Sequence, residues 1–512
     1  MDTQAIRHAG VLLHPTSLHT TYGIGDIGPA SHDWIDDLAK HHIDMWQMLP
    51  LGPTGYGNSP YASRSAFAGN ELLISPDMLQ RDGWLEKEEL EKHPQFPDGF
   101  VDYEQVIDWK IALLKKAALR FLTEETEREM FDGFCEQNKN WLDDYALFMV
   151  LYEKYRDARW FSQWEEPYAK RDKVAMASYE EAHHTEIEVW KALQFFWQQQ
   201  WDALKEHAHS LGISLIGDVP IFVASDSADT WSHIDLFQTG KDGRFSNVSG
   251  VPPDNFCATG QLWGNPVYDW DAMRETEYAW WIERLRRLST MTDYLRIDHF
   301  RGFEAYWSVP AQNKTAELGT WVKVPGKEFF SVVRKNLPDL KIIAEDLGFI
   351  TPDVEKLKDD NGFPGMRIAE FGFNLTEDGK FDAKDTFLPH NYERNVVAYT
   401  GTHDNETFRG WFDHQEKNLQ NAVLSYLDAT KDDVVEKLIR SILMSNADYA
   451  IIPLQDIMGL GNEARMNTPA TCGRENWSWR LKENDTYEKG LNLFGKEVFL
   501  SGRSQEKEAQ TK

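Results

Sequence analysis

Tyr294-Leu-Arg-Ile-Asp-His-Phe300 is a short apolar, β-rich run that ends in charge. Residues two apart on a strand face the same way, so Arg296 and Asp298 would project together from its end. The same form recurs along the chain. In Ile213–Val223, Lys341–Gly348 and Val396–Asn405 an apolar run gives way to an acidic or polar residue and then a loop, and Gly10–Leu18, Met45–Leu51 and Ala450–Asp456 have the same form. Fully buried parallel strands read as such apolar runs, because helices cover both faces of a parallel sheet. Helical patterns lie between several of them, including Ser31–His41 and Ala272–Leu288. The second ends in Arg284, Arg286 and Arg287, which suit a helix C-terminus. Strand–loop–helix units in this number predict an α/β fold, a (β/α)8 TIM barrel over residues 1–500.

Two stretches interrupt the rhythm. Residues 79–206 are helical and polar (KEELEKH, KIALLKKAALRFL, TEIEVWKALQFFWQQQWDALKEH) and read as a helical subdomain inserted in the barrel. Residues 240–270, rich in Gly, Pro and aromatics, read as a second insertion in loop form. A polar tail, 501–512, closes the chain, and no internal repeat is present.

Composition narrows the function classes. Lys and Arg number 54 against 83 Asp and Glu, a formal charge of −29, which repels phosphate backbones and anionic lipid. Neither nucleic acid nor a membrane is therefore expected as partner. The start MDTQAIRHAG lacks the basic and apolar regions of a secretory signal, and no run reaches the roughly 18–20 apolar residues of a membrane span. Cys135, Cys257 and Cys472 are too scattered for a disulfide framework or a paired metal spacing, so a reducing cytoplasm is the expected compartment. The 20 Trp, 18 Tyr and 28 Phe are plentiful, and several Trp lie in loop-like sequence beside amides and acids, as in Trp263-Gly264-Asn265-Pro266. Such rings suit sugars, whose C–H faces stack on aromatics while their hydroxyls need polar partners.

In a barrel enzyme the chemistry sits at the C-terminal ends of the strands. Four candidate strands end there in acids: Asp218, Asp298, Glu345 and Asp404. Any single one reads equally well as a helix N-cap; four converging ones do not. Arg296 can hold Asp298 in the charged form a nucleophile needs. Glu345 follows Ile342, Ile343 and Ala344, and apolar surroundings with a nearby anion would raise it toward a working general acid. Asp404, between His403 and Asn405, suits vicinal sugar hydroxyls. Retaining glycosidic chemistry divides labour in this way among a nucleophile, an acid and a group that binds the 2-OH. A barrel metal site from His14, His299 and His403 is the weaker reading, because the first strand offers a lone His14 and no His-x-His. No metal or organic cofactor is expected.

Here the motifs become specific. Arg296-Ile-Asp-His-Phe-Arg-Gly302, Ala344-Glu-Asp-Leu-Gly348 and Thr402-His-Asp-Asn405 resemble the conserved regions of the α-amylase clan. Within it, nearly the whole chain is similar to the 4-α-glucanotransferase (amylomaltase, disproportionating enzyme) family. Further blocks carry the likeness, among them Gly10–Leu18, Gly55–Tyr61, Gly217–Phe222, Gly250–Asp254, Gln261–Pro266, Pro364–Arg367 and Gly459–Asn467. The resemblance implies Asp298 as nucleophile, Glu345 as acid/base and Asp404 as transition-state stabiliser. It places Tyr61, Asp218, Arg296, His299, His403 and Asn467 around the donor sugar. Asp254–Trp263 then matches a loop over the acceptor side, with Asp254, Phe256, Gln261 and Trp263 in contact. It further implies maltooligosaccharides, amylose or glycogen-derived α-1,4-glucans as substrates and glucose as an acceptor. Two positions depart from the family pattern: Asn58 stands where many members have Asp, and Asn255 where some have Tyr. A hydrolase of the same clan would share the three acids, whereas a non-catalytic glucan-binding barrel would be expected to have lost one.

Overall fold

The computed structural model describes residues 7–124, 127–253, 258–484 and 487–503. Twelve strands are present among them. They are β1 (His8–Leu12), β2 (Met45–Gln47), β3 (Ser214–Pro220), β4 (Asn247–Val251), β5 (Gln261–Pro266), β6 (Tyr294–Asp298), β7 (Ala305–Pro310), β8 (Thr320–Lys323), β9 (Lys341–Ala344), β10 (Gly365–Ile368), β11 (Val396–Tyr399) and β12 (Tyr449–Pro453). Eight of them run parallel in the order β10-β11-β12-β1-β2-β3-β6-β9. The Ala344 N–H donates to the Pro364 carbonyl at 2.9 Å and draws β9 and β10 together, so the sheet closes into a barrel. The seam between first and last strands is fully zipped, from His8 opposite Tyr449 to Leu12 opposite Pro453. Val396, Val397, Ala398 and Tyr399 are all fully buried, as a strand covered on both faces requires. At Gly10 a Cβ would lie 2.7 Å from the Met45 carbonyl oxygen, so the close approach of β1 to β2 needs glycine.

Helices shield the outside. Val434–Met444 turns Val434, Val435, Leu438, Ile439, Ile442 and Leu443 inward, an i, i+4, i+8 stripe. Gly365–Ile368 is the one barrel strand that the apolar-run pattern missed. It is four residues long and carries Arg367 within it. The helix expected over Ala272–Leu288 is broken in two, Trp270–Glu275 and Ala279–Met291, because Glu277 and Tyr278 adopt left-handed backbone at φ 51° and 58°. That turn drives the Tyr278 ring into the core beside Trp270 and Phe329. The helix runs on to Met291, so its arginines do not cap its end. Arg284 is buried and donates to the Pro220 and Ile221 carbonyls, and Arg287 donates to the Phe67 carbonyl and Gln198.

Between β2 and β3 the chain is mostly helical, with Tyr103–Thr123, Arg128–Tyr155 and His184–Ser210 the long elements. The last of these also lies against β3, and its stacked Trp197 and Trp201 are fully buried. Its glutamines look polar in sequence yet are buried: Gln194 exchanges two hydrogen bonds with the Gly69 backbone, and Gln200 two with Ser75. Each side-chain amide replaces a missing peptide partner, which fixes the loop after β2. Residues 240–270, expected as loop, contain β4 and β5. These pair with β7 and β8 in a four-stranded antiparallel sheet, order β5-β4-β7-β8. The partner β7 lies beyond β6, so no local hairpin signal announced it, and Gly and Pro hid the alternation. No helix among the described residues is long and apolar enough to cross a membrane.

Candidate active site

The four acids gather at one end of the barrel. Asp218 lies in β3, whose Asp218 and Pro220 pair with Arg296 and Asp298 of β6. One guanidinium nitrogen, Arg296 Nη1, donates to both Asp218 oxygens at 2.8 and 2.7 Å and to Asp298 Oδ1 at 3.0 Å. Arg296 and Asp298 therefore share a face, as their spacing predicted. Burial acts to discharge this arginine, but the Asp218 and Asp298 charges outweigh it and hold Arg296 protonated. The Tyr61 hydroxyl closes the corner by donating to Asp218 Oδ2 at 2.7 Å.

Glu345 sits one residue past β9 and meets no cation directly among the described residues. His299 N–H donates to its Oε2 at 2.7 Å and Leu347 N–H to its Oε1 at 3.2 Å. Burial, and then the Asp298 charge, push its carboxyl up to about 8, so it carries a proton at neutral pH. The His299 bond depends on left-handed backbone at φ 53°, an unusual state for histidine that turns its amide toward Glu345. Burial lowers the His299 imidazole to about 4, and its buried Nε2 has no partner among the described residues. A neutral imidazole with a free nitrogen is an open hydrogen-bond position. The adjacent Asp346 is structural, held by Lys358 at 2.9 Å and the Met366 N–H at 2.7 Å.

Asp404 follows β11 on a loop and is about half exposed. Asn467 donates to its Oδ1 at 2.7 Å, Arg465 to its backbone carbonyl at 2.7 Å, and His403 Nε2 lies 3.5 Å from Oδ2. The Tyr61 and His403 rings stack at 5.0 Å and both rest on Trp477. Trp263, at the start of β5 beside Gln261, meets the His299 ring edge-on at 4.8 Å. Asp254, Asn255 and Phe256 lie outside the described residues. His14 ends near His403; burial, and secondarily His403, lower it to about 3.

Several residues support the site in ways the sequence did not announce, and Asn405, expected beside Asp404 for sugar hydroxyls, is one of them. Asn405 accepts from the Thr402 N–H and hydroxyl at 2.9 and 3.0 Å and donates to Glu370 at 3.0 Å, pinning the loop that bears Asp404. Burial pushes Glu370 up to about 8. It stands two residues past β10 and would have joined the strand-end acids had that strand been recognised. Trp477 and Arg465, distant in sequence, were invisible as neighbours.

With this geometry in view, the comparisons with known proteins are consistent. The sequence profile described as 4-alpha-glucanotransferase matches residues 13–486. This chain belongs to the 4-alpha-glucanotransferase family. It is 46% identical over 480 residues to the 4-alpha-glucanotransferase of Synechocystis, covering 93% of this chain and 94% of that one. With the Clostridium butyricum 4-alpha-glucanotransferase it shares 42% identity over 477 residues, 92% and 96% of the two chains. Its fold superposes on the Streptococcus agalactiae amylomaltase in complex with acarbose at a TM-score of 0.92 and 36% identity, covering 98% and 100%. The α/β barrel expected from the strand-end pattern is thus also the fold of a family member.

Proposed function

We propose that this enzyme moves α-1,4-glucan segments from a donor maltooligosaccharide to the 4-OH of glucose or another glucan, with retention. The observation that carries this reading is the opposed setting of two carboxylates on neighbouring strands. Asp298 shares the Arg296 guanidinium, while Glu345 is held neutral. Glu345 gives its proton to the glycosidic oxygen as Asp298 attacks the anomeric carbon, forming a β-glycosyl enzyme. Glu345, now a base, takes the proton of an acceptor 4-OH, which attacks and restores the α bond. Two inversions give retention and call for carboxyl groups roughly 5–5.5 Å apart. Asp404, steered by Asn467, receives the hydroxyls of the distorted sugar, and Tyr61, Asp218 and His403 line that subsite. Trp263, against His299, belongs to the wall that keeps water from competing with the acceptor. Asp254 and Phe256 belong, on the family pattern, to the same wall. Free Cys135 and Cys472 suit work in the cytoplasm.

Incubation with maltotriose tests the reading. Transfer yields free glucose together with maltooligosaccharides longer than the substrate. A product set containing only shorter sugars would instead make the chain a hydrolase.

A further inference from the structure

Two large aromatic rings stand in solvent, one on the loop that follows Glu345 and one on a strand of the antiparallel sheet. Phe349 is 68% exposed and Trp321, on β8, is 37% exposed. Their centroids are 6.3 Å apart and their planes differ by 22°. The Arg301 guanidinium carbon lies 3.8 Å from the Trp321 ring centroid and 5.3 Å from that of Phe349. A guanidinium sandwiched between two rings would hold them about 7–8 Å apart, twice one van der Waals contact. The observed separation is too short for that. Rings stacked face to face with Arg301 outside would put the farther one about 7 Å or more from the cation, and 5.3 Å is too close. The rings are instead near-parallel and laterally offset, with Arg301 packed against both.

The support is rigid. Arg301 is buried and its Nη1 donates to the Phe349 carbonyl at 2.9 Å, while Trp307 packs on Trp321 at 5.3 Å. Both rings keep an exposed surface, and beyond its chain neighbours nothing crowds the position a Cβ would take on Gly348, next to Phe349.

We propose that Trp321 and Phe349 form a stacking subsite for the α-1,4-glucan, receiving sugar units that leave the site on the acid/base side. The proposal rests on the transferase reading for the identity of the ligand. Three observations favour a glucan as the occupant. Phe349 follows Glu345 by four residues and Arg301 follows Asp298 by three, so the platform hangs from the two catalytic loops. Four residues span at most about 14 Å, within reach of a chain already seated at Glu345. Trp321 also belongs to the sheet whose far strand β5 sets Trp263 against His299, three strand spacings or about 14 Å away. Flat aromatic pairs match the C–H faces of sugars, and two rings are far too small for a stable protein interface.

Steady-state kinetics of the full chain with maltotriose and with maltoheptaose test it. In F349A the KM for maltoheptaose rises roughly three- to tenfold with kcat held, while maltotriose kinetics stay within about twofold. F349W restores the lower KM. No change with maltoheptaose, or an equal change with both sugars, overturns the subsite. Calorimetric binding of maltoheptaose to native and F349A protein separates the two proposals. Weaker binding in F349A supports the subsite even if no transfer products form, a result that would sink only the transferase reading. Equal binding by both proteins overturns the subsite whatever the products.

Discussion

Asp298 and Glu345 close neighbouring strands of one barrel, yet their surroundings differ in kind. Asp298 is a third exposed and takes a guanidinium proton at 3.0 Å, whereas Glu345 takes only backbone N–H groups. Residue type does not make this difference. It follows first from burial, which with the Asp298 charge outweighs the pull of Arg296 on Glu345, and then from the direct bond that Arg296 gives to Asp298 alone of the two. Burial of one carboxyl group and a guanidinium bonded to the other thus give two neighbouring acids different surroundings, which is what the proposed retaining chemistry calls for.

The harshest way to break this comparison is to neutralise the charged member. D298N should lower kcat on maltotriose by about 10⁴-fold or more with the fold intact by circular dichroism. Activity of a few per cent would remove Asp298 from the nucleophile's place. The neutral member gives the next largest effect. E345Q should cost about 10²–10⁴-fold with glucans but far less with glycosyl fluorides, whose leaving group needs no proton. An acid must hold its proton to act. Native kcat/KM on glucans should therefore be present below, and lost as pH rises through, the Glu345 value of about 8. With fluoride donors that alkaline loss should fade, and a loss of equal size with both donors would contradict the acid role.

R296M sharpens the comparison from the cation's side. It leaves Asp218, whose side chain is 1% exposed, buried without its partner. Removing one member of such a pair costs about 3–5 kcal/mol, read from urea unfolding. A cost below about 1 kcal/mol would mean that the corner is not held by this arginine. The smallest effect concerns Glu370. Because it is already neutral below about 8, E370Q should keep kcat within about twofold at pH 7, whereas E370A, which frees Asn405, should lose several-fold. Equal kinetics of the two variants would dismiss the clamp on the Asp404 loop.

Much of this was legible because it rests on periodicity and on strand ends. Seven apolar runs gave seven barrel strands, and the acids of β3, β6 and the loop after β9 proved to lie on consecutive strands. Arg367 inside a four-residue strand hid β10, and with it Glu370. The break at Tyr278 comes from a ring seeking the core, a tertiary gain that no helical pattern encodes. The antiparallel sheet escaped notice because β4 pairs with a strand beyond β6. Likewise the amide that holds Glu345 is turned by one positive φ at His299, which its side chain does not announce. Periodic and local features could be read; those set by distant partners could not.

The seam of the barrel has a consequence in time. His8 pairs with Tyr449, about 440 residues later. At roughly 5–20 residues per second of synthesis, β1 waits on the order of 20–90 s for its second neighbour. Throughout that interval one edge of a nascent half-barrel stands bare, the kind of edge that recruits other chains. A ribosome-bound protein of this design needs its early helices, or a chaperone, to cover β1 until the last strand emerges.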